Sequence, residues 1–253
     1  MDLRELDAWC RSILDLDGFR SIDDSLNGVQ VGRRGGRIER VAFAVDACAE
    51  TIGRAATAGA QVLFVHHGLF WGDSIPVTGS HLDRMRLLME ADLALYACHL
   101  PLDAHPELGN NAVLARMLGL GAVSGFGEHK GKLLGFGGTI DPAIDLEEAI
   151  RRLLPDGSRP RTVIPAGPAA ITRAAVVSGG APFEVLQAIE AGMDLYVTGE
   201  PSHSVYHAVL EGRINFVAAG HYATEIWGVK AVAERLALET GIQTLFVDLP
   251  TGL

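Results

Sequence analysis

The sequence predicts an α/β protein of two related lobes, each with a largely parallel sheet and helices on its faces. Three observations predict this class. Short apolar runs rich in β-branched residues alternate with segments of helical period, the pattern of βαβ units. The runs are continuously apolar rather than alternating, as in strands covered on both faces. A stretch covering residues 41–67 also recurs at 174–200.

The predicted strands are VAFAV (41–45), QVLFV (61–65), LALYAC (93–98), AAVVS (174–178), DLYVT (194–198), INFVAA (214–219) and TLFVD (244–248). Helical segments lie between them, among them CAETIGRAATAG, SHLDRMRLLMEA, PFEVLQAIEAG and YATEIWGVKAVAERLALETG. The chain opens on MDLRELDAWC, an amphipathic helix start and not a signal peptide. NGVQVG (27–32) reads as a hairpin or turn, and Asp23 and Asp24 before it as solvated. The middle, about 121–170, is rich in Gly and Pro and reads as a small β-rich insert or sheet edge. The expected division is a first lobe over 1–124 and a second over 125–253.

The repeat aligns without a gap. Ala42/Ala175, Ala55/Ala188, Ala58/Ala191 and Gly59/Gly192 are identical. One copy ends in His66-His67 and the other in Gly199-Glu200. The next strand of each half is followed by a histidine and, four residues on, a carboxylate: His99 with Asp103, and His221 with Glu225. This pattern predicts two lobes facing each other across a cleft.

Bulk properties exclude several function classes. The formal net charge of −10 argues against a duplex nucleic acid partner, which needs clustered Lys and Arg. Three separated cysteines, Cys10, Cys48 and Cys98, fit a reducing, cytoplasmic setting with no disulfide framework. No apolar run is long enough to span a bilayer. AVDAC stands where a dinucleotide-binding fold would carry G-x-G-x-x-G.

Ligands of open parallel sheets bind outside the carboxyl ends of the strands. His66-His67, His99 with Asp103, and His221 with Glu225 all fall at such ends. Adjacent residues of a regular strand point to opposite faces, so His66 and His67 cannot chelate one ion while the strand stays regular; at a strand end opening into a glycine turn they can point to two neighbouring ions. His221 and Glu225 share a helix face if a helix begins at Gly220, whereas Pro101 favours a loop between His99 and Asp103. Imidazole mixed with carboxylate suits a pair of divalent transition metals such as Zn, Fe or Mn. Glu200 and His203 form a second polar cluster, read either as substrate contacts or as a helix cap. The Gly179-Gly180 turn offers backbone N–H groups to an anion. His105 reads as the start of the following helix, and His81 as a first-turn helix residue.

NGVQVG, FVHHGLFWG, YACHLPLDAHPELGNN, LYVTGE and AGHYATEIWGV, in this order and spacing, resemble the dinuclear-metal family of Nif-three-like proteins. Bacterial members of that family are often labelled GTP cyclohydrolase I type 2 homologues. The resemblance runs from about Asn27 to Pro250 and fits the short bacterial form. It implies that His66, His67, Asp103, His221 and Glu225 are the metal ligands, in a cleft between the lobes, with Asp103 bridging. It implies His99 as proton donor or supporting partner near the ions, and a ring-shaped homohexamer. For activity it implies a metal-dependent hydrolase acting on GTP or another, damaged, nucleotide. The alternative is a non-catalytic metal-binding or regulatory scaffold.

Overall fold

A computed structural model describes all residues from Met1 to Leu253. The chain forms two compact units, Met1–Leu102 with Gly228–Leu249, and Asp103–Trp227 with Pro250–Leu253. Unlike the split expected after residue 124, neither unit is one run of sequence, and Asp103, expected within the first lobe, opens the second unit.

The first unit holds five strands: β1 (Gly28–Val31), β2 (Arg40–Asp46), β3 (Val62–His67), β4 (Ala94–Ala97) and β11 (Gln243–Phe246). Their order is β1-β4-β3-β2-β11, parallel throughout except for β1. NGVQVG is therefore not a hairpin. It supplies an antiparallel edge strand, with Gly28 opposite Ala97. Asp23 is not solvated either; it is buried. Helices α1 (Leu3–Ile13), α2 (Ala49–Thr57) and α3 (Gly79–Glu90) belong to this unit. Helix α1 begins on a capping box in which Asp2 accepts from the amides of Arg4 and Glu5.

The sheet's pleat sorts its side chains. Ala42, Ala44, Leu63, Val65, Leu95 and Ala97 pack with Ile52 and Leu88 in one core cluster. The alternate positions Phe43, Phe64 and Tyr96 are direct cross-strand partners, and their rings follow one another at 5.1 and 5.4 Å between centroids. Each fully buried aliphatic or aromatic side chain contributes roughly 1.5–3 kcal/mol. The interior of this sheet thus fixes where its strand ends lie.

The second unit holds β5 (Gly121–His129), β6 (Lys132–Ile144), β7 (Thr162–Pro165), β8 (Ile171–Val176), β9 (Leu195–Thr198) and β10 (Asn215–Ala218). The order is β5-β6-β8-β9-β10-β7. Only β8-β9-β10 is parallel. The Gly/Pro-rich middle supplies the rest as the antiparallel hairpin β5–β6 and the edge strand β7, so this sheet is mixed. Four more helices are α4 (Leu100–Asp103), which ends on the unit's first residue, α5 (Asn110–Leu118), α6 (Leu146–Leu153) and α7 (Val185–Glu190). They are followed by α8 (Tyr206–Gly212) and by α9 (His221–Thr240), whose residues from Gly228 on belong to the first unit. Leu114, Ile140, Ala149, Ile171, Val197 and Val217 lie in its core cluster.

The sequence repeat is a structural repeat. Val41 pairs with Val62 and Phe43 with Phe64; at the matching positions Ala174 pairs with Leu195 and Val176 with Val197. Gly59 and Gly192 end the intervening helices with φ +69° and +66°. Gln61 Oε1 accepts from the amides of Glu39 and Arg40, and Asp194 Oδ2 accepts from those of Thr172 and Arg173. The Arg40 guanidinium donates to the Ala58 carbonyl, and that of Arg173 to Gly192. Beyond β4 and β10 the copies part by one residue: His99 follows Ala97 by two positions, whereas His221 follows Ala218 by three.

Candidate metal centre

In the first unit, β3 ends on His66 and His67. His66 is buried, and its Nδ1 donates to the Cys98 carbonyl at 3.0 Å. His67 sits opposite Asp46 in the ladder, and its Nδ1 lies 2.8 Å from Asp46 Oδ1. His99 stands between β4 and α4 with Nδ1 2.9 Å from Asp23 Oδ1. Helix α4 replaces the loop expected after His99, and the Leu102 amide donates to the His99 carbonyl.

The two adjacent rings do not face apart as a regular strand requires. Their centroids are 4.7 Å apart, and that of His99 is 5.0 Å from His66 and 5.7 Å from His67. The pair lies on the last two residues of β3, followed by Gly68, where the alternation no longer holds. Each of the three imidazoles offers a ring nitrogen within 4.8 Å of the other two. Trp71 closes beside them, 4.9 Å edge-on to His99, its indole N–H donating to the Gly68 carbonyl.

The donor set fits a divalent transition metal. A carbonyl only accepts, and an ionised carboxylate only accepts, so the acceptors assign the proton of each ring to Nδ1. The lone pair is then on Nε2, and an oxygen acceptor behind each ring is the usual support of a metal-ligating histidine.

In the second unit, Gly220 has φ +117° and delivers the chain into α9 at His221. His221 Nε2 lies 3.1 Å from Glu225 Oε2, one helical turn on, as the shared helix face required. Its Nδ1 lies 2.7 Å from Glu200 Oε1. Burial pulls the His221 pKa down, but Glu225 and Glu200 more than offset this and raise it to about 9. Asp103 is buried, and its Oδ1 accepts from Asn110 Nδ2 and Ser178 Oγ, each at 2.9 Å. Asn111 fixes that arrangement by accepting from the Ser178 amide at 2.6 Å.

Three glycine turns are stitched together around His221. The Gly179 carbonyl accepts from the amides of Gly199 and Glu200, and the Gly199 carbonyl accepts from Gly220. Gly179 has φ +65°, and a Cβ there would stand 2.3 Å from Glu225 Oε1. Only glycine meets both demands.

Glu200 is thus placed as the partner of His221. Helix capping falls to Ser202, which accepts from the Ser204 amide, while His203 is exposed on the short turn His203–Val205. His105 Nδ1 accepts from the amides of Glu107 and Leu108, so it is a turn residue. His81 is buried against the edge of Phe70. Sequence reasoning missed Asp23, Asp46, Asn110 and Ser178, the groups that hold His99, His67 and Asp103. Asp46 carried a signal: it ends β2, where a parallel neighbour of the histidine strand must end too.

The two units define an α/β protein with histidine and carboxylate side chains gathered at strand ends. The family model Duf34/NIF3 (NGG1p interacting factor 3) matches residues 1–251, and the chain belongs to that family. A "GTP cyclohydrolase 1 type 2 homolog" of Treponema pallidum is 42% identical over the full length of both chains. Another of that name, from Halobacterium salinarum, is 45% identical and covers 91% of this chain and 92% of its own. Among solved structures, TTHA1606 from Thermus thermophilus has a TM-score of 0.90 at 38% identity, covering both chains fully. Reduced HcgD from Methanocaldococcus jannaschii has a TM-score of 0.85 at 25% identity, with 98% of each chain covered.

Proposed function

We propose that the chain is a metal-dependent hydrolase of a small, nucleotide-like molecule. His66, His67, Asp103, His221 and Glu225 are the residues that would hold two divalent ions, Zn, Fe or Mn. The carrying observation is that His66, His67 and His99 each have Nδ1 against an oxygen acceptor, the tautomer that presents Nε2 for other work. The nucleotide reading is supported by the relatives' name, GTP cyclohydrolase 1 type 2 homolog.

Bound divalent ions would supply Lewis acidity that brings the pKa of a coordinated water towards neutrality. The chain's own residues do the rest. Asp46 and the Cys98 carbonyl orient the two β3 imidazoles. Asn110 and Ser178 orient the Asp103 carboxylate, and Glu200 the His221 ring. His99 takes up and returns a proton at Nε2. Trp71 shields one side of the His99 ring from water. Glu200 and His203 contact substrate. The protein works in the cytoplasm as a homohexamer, on the family pattern; no helix is long and apolar enough to cross a membrane.

Elemental analysis of untagged protein, followed by a nucleotide screen with Mn-, Fe- and Zn-loaded samples, tests this. The expected result is bound metal and turnover that His66→Ala abolishes. Equal turnover by loaded wild type and His66→Ala overturns the proposal. Tight metal binding with no turnover of any nucleotide favours the scaffold alternative instead.

A further inference from the structure

We propose that Asp23 is the positioning residue of an Asp–His dyad with His99. The inference rests on the hydrolase reading only for the use made of His99; the dyad itself rests on geometry. His99 lies between a strand end and a single helical turn, so no regular element fixes its ring. Asp23, 76 residues away in sequence, does so.

The Asp23 side chain is 1% exposed, and its carboxylate accepts four hydrogen bonds. Oδ1 accepts from His99 Nδ1 at 2.9 Å and from the Ser25 amide at 2.9 Å. Oδ2 accepts from Asn27 Nδ2 at 2.8 Å and from the Leu100 amide at 3.0 Å. Asn27 Oδ1 in turn accepts from the His99 amide at 2.8 Å, so one short segment grips both the ring and the backbone of His99. Burial alone would raise the Asp23 pKa, but these donors, His99 foremost, hold it below the ordinary carboxylate value. A carboxylate held this way cannot rotate without losing donors at both oxygens. It fixes the ring plane, and it fixes the Nδ1–H tautomer that leaves Nε2 to move protons.

The same segment supports the other histidine turn. Gln30 Oε1 accepts from the Leu69 amide at 2.7 Å, and the Leu26 amide donates to the Phe70 carbonyl at 3.0 Å. Gln30 crosses so close that a Cβ on Gly68 would stand 2.3 Å from its side-chain amide, which would have to shift. Residues 23–30 thus set both histidine-bearing turns against one support.

Nitrogen-15 NMR of histidine-labelled, zinc-loaded full-length protein tests the dyad, with His99→Gln assigning the signals. The expected wild-type spectrum shows His99 fixed as the Nδ1–H tautomer with a slowly exchanging, downfield ring proton. Asp23→Asn is expected to keep the zinc content and lose that fixed proton and tautomer. A wild-type His99 that is Nε2-protonated or interconverting overturns the dyad, whether or not the variant folds. An unchanged His99 signal in folded Asp23→Asn overturns it too. Protein that binds no zinc yet shows the fixed tautomer sinks the hydrolase reading and leaves the dyad standing.

Discussion

Asp46 and His67 meet twice: their Cα atoms are partners in the parallel β2–β3 ladder, and Asp46 Oδ1 lies 2.8 Å from His67 Nδ1. The backbone register therefore sets the side-chain contact, and a strand slip would break it. Asp46→Ala removes the acceptor and leaves the strand in place. Isothermal titration with zinc should show affinity lowered roughly 10–100-fold, the usual cost of losing such a support. Unchanged affinity would mean that His67 is not a ligand.

Gly179→Ala should strike the proposed ligands of the second unit. Its φ of +65° strains any other residue by about 1–2 kcal/mol. The added methyl also drives Glu225 from its place beside His221. Metal content by elemental analysis should fall well below that of wild type while the fold, by circular dichroism, persists. Full metal occupancy in the variant would contradict the role given to Glu225.

The two repeat glycines form a matched pair. Gly59→Ala and Gly192→Ala each place a side chain at positive φ, at about 1–2 kcal/mol. The two should cost alike, because a Cβ at either position meets only an ordinary contact, 3.4 Å from Arg173 Nη1 at Gly192 and 3.8 Å from Arg40 Nη1 at Gly59. Urea denaturation of both variants checks this, and a clearly unequal loss would refute the equivalence of the two turns.

Asp23 should show in the acid limb of stability. Its folded pKa lies below the ordinary value of about 3.9. It therefore contributes stability that is present above that value and lost as the pH falls through the folded pKa. Thermal melts of metal-free protein from about pH 6 down to pH 3 should fall less steeply for Asp23→Asn than for wild type. Parallel curves would show that Asp23 titrates alike in the folded and unfolded chain.

The positions of His66, His67, His99, His221 and Glu225 at element ends were legible, because apolar runs show where strands stop. So was the βαβ repeat, down to the residues that pair. The convergence of the His66 and His67 rings was legible only in part: alternation opposes adjacent side chains, and the glycine turn at the strand end marked where it could relax without giving the 4.7 Å approach of the rings. Asp23 looked solvated because nothing local marks a carboxylate whose partner lies 76 residues on. Ser178 was hidden for the same reason, since it lies 75 residues from the Asp103 oxygen that it shares with Asn110. The Gly/Pro-rich middle was legible as a β-rich insert or sheet edge, but its antiparallel pairing was not, because Gly-rich hairpin strands lack continuous apolar runs.

The repeat copies agree in register, terminal glycine and bracing arginine, so one local plan builds the parallel core of both sheets. What differs is the dipeptide at the strand exit, His66-His67 in one copy and Gly199-Glu200 in the other. Scaffold and chemistry are therefore separately editable, and exchanging the two dipeptides is the most direct way to ask whether the second exit can be made to carry imidazole.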